Sequence, residues 1–161
     1  VVSVGLSLGK FEWVEQFVTD YEKRLPIGFR ETAMAYNRAN LHFHKRSYSE
    51  ALKTLSQVEF SDVFYALGTR KMMVMIYFER NDEEALLSLL SSFRLFLKRN
   101  KLISEANRKA YRNFIQWVQM LNRRRGEDKE GIAKLVKEIK ATQPLVEEKW
   151  LLQVVEDQLR G

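Results

Sequence analysis

The chain has two histidines, His42 and His44, standing two residues apart in NRANLHFHKRSYSEAL, residues 37–52. Imidazoles ligate metals and move protons near neutral pH, so this pair is the first candidate for chemistry. A metal pair on a helix needs ligands at i and i+3 or i+4. Two residues apart, the side chains diverge by roughly 200°. The chain has no cysteine to complete such a site. The histidines therefore read as packing and rim positions. No phosphate-cradling glycine loop or His-Glu-x-x-His pattern is found, and no nucleophile stands out beside a base. No catalytic residue, metal or cofactor is assigned, and an enzyme is not expected.

Charge is the second feature with chemical content. Between Arg94 and Arg125 there are ten basic residues and one acidic residue, Glu105. Arg94, Lys98, Arg99 and Lys101 fall at the end of one expected helix. Arg108, Lys109 and Arg112 lie on the next, which Arg123, Arg124 and Arg125 close. Cations at helix C-termini are favoured by the helix dipole, which accounts for part of the pattern. The remainder suits an anionic partner: an acidic peptide, a nucleic acid or an anionic surface. No aromatic stacking motif accompanies the charge, which ranks nucleic acid behind protein.

The elements that must position these residues are helices. The 161 residues are 45% hydrophobic and 30% charged, the mark of a folded chain with a sizeable core. Only two prolines and seven glycines interrupt it, favouring an all-α fold over a sandwich or barrel. Its apolar runs are too short to span a bilayer. The opening VVSVGLSLGKF has neither an initiating Met nor a signal-like pattern. The expectation is a piece of a longer protein, in the cytoplasm.

Apolar residues recur at helical spacing almost throughout. The first helix carries Phe11, Val14, Phe17, Val18 and Tyr21 and stops at Pro26. Others span about 30–46, from Ser47, from Ser61 or Asp62 to about 80, from Asn81, from Ser104 to about 124, from 128 to 142, and from Pro144. Ser47 and Glu50 have capping-box spacing, and Pro144 is expected in a first turn. MMVMIYF, residues 72–78, reads as a helix buried on most sides. Shifted by 34 residues, SEALKTL falls on EEALLSL, with Ala51 on Ala85, Leu52 on Leu86 and Leu55 on Leu89. Small residues at the start of each second helix let paired helices approach closely, and the leucines fill the seam.

AYNRANLHFHKRSYSEALKTLSQV resembles a tetratricopeptide repeat, a helix-turn-helix unit of about 34 residues. Ala39, Tyr48 and Ala51 stand at its small, aromatic and small positions. LGKFEWVEQFVTDYEKRLP resembles the back half of another unit, with Val1–Leu8 as the remains of its first helix. The chain also resembles divergent helical repeats of uncharacterised bacterial proteins. The resemblance implies an α-α superhelix of about eight antiparallel helices in a single helical-repeat domain over 1–161. Within it, 1–26 is a partial repeat, 30–60 and 61–100 are repeats, 104–142 is irregular, and 144–161 is a capping helix. It further implies a concave groove lined by first helices. On this chain the groove would present Tyr36, Asn40, Phe43, His44, Arg70, Val74, Tyr77, Arg108 and Arg112, with Phe78 and Ile115 beside them. The expected function is a non-catalytic scaffold or adaptor that binds a protein or peptide with acidic residues. Two alternatives stand: a segment packing on other domains or copies of its own protein, a homo-oligomer included, and an anionic-surface or nucleic-acid binder through 94–125.

Overall fold

A computed structural model describes all residues, Val1–Gly161. It is all-helical, with nine α-helices and no strand. The chain forms two compact units, Val1–Arg80 and Asn81–Gly161. The division falls inside the expected repeat 61–100.

The first unit holds α1 (Val2–Ser7), α2 (Phe11–Glu22), α3 (Ile27–His44), α4 (Tyr48–Ser56) and α5 (Val63–Glu79). Helix α3 packs against α1, α2, α4 and α5. Leu6, Val14, Val18, Met34 and Leu41 make one core cluster. Ala39, Ala51, Leu55, Met72 and Ile76 make another. Ala39 and Ala51 are the small residues read from the repeat. Both are fully buried, so the absence of larger side chains lets α3 and α4 approach. Helix α5 buries side chains all round its circumference, Leu67, Met72, Val74, Ile76 and Phe78 among them, as its near-continuous apolar sequence requires.

One turn geometry recurs. The N–H of Gly9 donates to Leu6 O and that of Lys10 to Gly5 O. Likewise the Arg46 N–H donates to Phe43 O and the Ser47 N–H to His42 O. These are Schellman turns, closed by a left-handed residue: Gly9 at φ 68 and Arg46 at φ 59. Asn81, at φ 57, stands at the equivalent place before α6. Each of the three lies two residues ahead of the helix that follows it: α2, α4 and the α6 that starts at Glu83.

The second unit holds α6 (Glu83–Arg99), α7 (Glu105–Arg123), α8 (Lys129–Ala141) and α9 (Glu148–Arg160). Helix α6 packs on α7, α8 on α9, and α9 on α7. Its centre includes Leu90, Phe93, Phe114, Ile115, Leu121, Ile139 and Leu151, all fully buried. Hydrogen bonds tie the turn after α8 to α7: Trp117 Nε1–H donates to Thr142 Oγ1 (3.0 Å) and Asn113 Nδ2–H to Pro144 O (2.8 Å).

Several local expectations change. Ser47 is the N-cap of α4 but makes no side-chain cap bond. A capping box needs the N-cap N–H free for Glu50, and here that N–H is bound to His42 O. Asp82, not Asn81, caps α6, accepting from Ala85 N–H. Helix α9 begins at Glu148 rather than at Pro144, whose carbonyl is taken by Asn113. Helix α8 finds its main partner in α9 rather than in α7. Ser104 and Asp128 cap α7 and α8 through their side chains, at the expected starts.

Candidate functional site

The second unit gathers cations at its α6–α7 hairpin. Arg94 and Lys98 are one turn apart on α6, and Arg108, Arg112 and Gln116 follow one another at four-residue spacing on α7. Residues four apart share a helix face, so both sets can turn toward one space. With Leu97 they line a cleft of about 520 Å³. Gln116 also borders a smaller recess of about 370 Å³, with Gln119, Met120, Arg123, Arg124 and Glu127. Arg112 and Arg123 are thus separated by roughly 16 Å along one helix.

The cleft cations differ in how they are used. The Arg108 side chain is only 17% exposed. Its guanidinium donates to the carbonyls of Leu97, Asn100 and Ile103, and its Nε lies 3.3 Å from Glu105 Oε2. Those carbonyls belong to the last turn of α6 and the loop after it, so Arg108 closes the helix end. Arg94 donates to Gln119 Oε1 at 2.6 Å, bracing α6 on α7. Arg112, with 51% of its side chain exposed, meets Glu105 Oε1 at 2.9 Å. Lys98 is exposed. Arg112 and Lys98 are therefore the cleft cations best placed to meet a ligand. Glu105 neutralises part of the charge, and its carboxylate is itself largely exposed.

The rest of the basic stretch is distributed. Arg99 and Lys101 border a third opening beside Leu95 and Phe96. Arg124 pairs with Glu127 at 3.6 Å. Arg125 donates through Nε to Asn122 Oδ1 at 3.2 Å.

The expected groove residues of the first unit are mostly spent on packing. Val74 is 0% exposed, so it cannot touch a partner. Burial likewise removes Phe78 in this unit and Ile115 in the other. Phe43 packs against the α3–α4–α5 core, with its ring centroid 5.7 Å from that of Tyr48. Tyr36 makes an edge contact with Tyr65 at 5.3 Å and lies over Gly68. A Cβ at 68 would stand 2.5 Å from the Tyr36 hydroxyl oxygen, so this approach requires the glycine. Arg70 donates to Ala66 O, and burial lowers its pKa. Asn40 is half-buried, and its carbonyl meets His44 Nδ1 at 2.9 Å. Tyr77 is half-buried and His44 exposed. The Tyr48 phenol, also half-buried, has its pKa raised by burial, then by Glu79.

One motif escapes the sequence reading. Gly5-Leu6-Ser7-Leu8-Gly9 has Gly-x-Ser-x-Gly spacing. A nucleophile elbow places that serine on a sharp turn from strand to helix. Ser7 instead ends α1, and its hydroxyl donates to Val4 O at 2.9 Å. No strand precedes it. No three His, Cys, Asp or Glu residues are grouped as a metal site, and no helix is long and apolar enough to cross a membrane.

Comparison with protein-family models, with curated proteins and with solved structures gave no match.

Proposed function

We propose that the chain is a non-catalytic, tetratricopeptide-like adaptor that binds an acidic segment of a partner protein in the α6–α7 cleft. The observation that carries this reading is the cleft itself, with Arg94, Lys98, Arg108 and Arg112 around one opening and Glu105 as the one acid of the surrounding stretch. Cations from two helices held to one face attract carboxylates and fix their register. Arg94 and Arg108 hold the two helices together, while Lys98 and Arg112 meet the ligand. The repeat reading gains support from the first unit. There, α3 packs on both helices before it and both after it, and the left-handed turns at Gly9 and Arg46 match.

The test is fluorescence anisotropy of a labelled helical peptide carrying Glu at every fourth position, titrated with the full chain. The peptide should bind. The paired change Lys98→Glu and Arg112→Glu should weaken it at least tenfold, the scale of about 1.4 kcal/mol. Equal affinity of this variant would remove the cleft from the account. Tighter binding of duplex DNA, with a steep loss in salt, would replace the protein partner by a nucleic acid.

A further inference from the structure

The tip of the α6–α7 hairpin has a character unlike the cleft beside it. Leu102 is 82% exposed and Leu95 48% exposed. Single exposed leucines are ordinary on protein surfaces. Each of these two stands beside cations: Leu95 shares an opening with Phe96, Arg99 and Lys101, and Leu102 follows Lys101 in the chain.

The turn that carries Leu102 is held from several sides. Its N–H donates to Asn100 Oδ1 at 3.0 Å. Its neighbour Ile103 is buried. Arg108 reaches from α7 to the carbonyls of Leu97, Asn100 and Ile103. Leu102 is thus kept outside the core on a turn that needs no further ordering, which lowers the entropy cost of any contact it makes.

We propose that this tip docks on an anionic lipid surface. Leu102 and Leu95 enter the headgroup layer, and Arg99 and Lys101 meet the lipid anions. Apolar insertion and cationic attraction are the two contributions that hold peripheral proteins on membranes, and each basic residue near an anionic leaflet adds to the attraction. The flanking charge selects a lipid surface over an apolar protein partner, which two cations beside the leucines would disfavour.

Sedimentation with vesicles tests it. The full chain should pellet with vesicles of phosphatidylcholine containing about one-third phosphatidylserine, and not with phosphatidylcholine alone. Leu95→Ser with Leu102→Ser should lower partitioning at least about tenfold. Arg99→Glu with Lys101→Glu should reduce it to the level of neutral vesicles. Both variants should keep the wild-type circular dichroism spectrum, since these side chains lie outside the core, and the leucine variant should keep acidic-peptide binding. Absence of binding to anionic vesicles would overturn the proposal. So would anionic binding that survives loss of both leucines, because that is adsorption by charge alone.

Discussion

Arg108 and Arg112 stand one turn apart on α7, and by type and spacing they are equivalent. Their surroundings separate them. Arg108 closes the end of α6 through three carbonyls, whereas Arg112 meets the exposed Glu105. Hydrogen bonds from a charged donor contribute more than neutral ones, and leaving their partners unpaired adds a desolvation cost. Arg108→Ala is therefore expected to lower the unfolding free energy by about 2 kcal/mol. Arg112→Ala should change it by less than about 0.5 kcal/mol. Urea denaturation of the two variants checks this, and equal losses would contradict the assignment. A charge count along the chain could not distinguish them, because the carbonyls that claim Arg108 lie up to eleven residues away. Val74 illustrates the same limit. Its repeat position implied a groove, but α5 is packed on so many sides that the residue is sealed.

At the scale of elements, the starts of α5, α7 and α8 were legible from their capping side chains, whereas α6 was read one residue early, at Asn81 rather than Asp82. Asp62 accepts from the N–H groups of Phe64 and Tyr65, and Ser104 and Asp128 each accept one bond. Short polar side chains before an apolar periodic run carry that signal locally. Ser47 looked equally good, but the turn before it uses its N–H. Asp62→Ala should accordingly cost about 1 kcal/mol, and Ser47→Ala clearly less, measured by thermal unfolding of the full chain. A larger loss at Ser47 would restore the capping box. The start of α9 was misread because an intended first-turn proline has its carbonyl bound by a residue 31 positions earlier. The buried α5 was legible from its composition. So were the small residues Ala39 and Ala51, whose value depends only on helices approaching closely.

At the scale of the molecule, the all-helical class followed from few breakers and pervasive helical periodicity. The same periodicity located α4 and α6, whose sequences a shift of 34 residues superposes. The division at Arg80 and Asn81 was not legible, because the periodicity and the turn chemistry run on through it. The charge excess of 94–125 was legible as a total. Its sorting into a brace, a helix-end clamp, an open cleft and a leucine-bearing tip depends on how α6 packs against α7. The central claim is that Lys98 and Arg112 make the cleft a receptor for carboxylates. A charge exchange tests it most directly. The Lys98→Glu, Arg112→Glu variant, titrated by anisotropy with a peptide whose glutamates are replaced by lysines, should recover at least about tenfold in affinity over its binding of the acidic peptide. No recovery, with the variant folded, would contradict the claim.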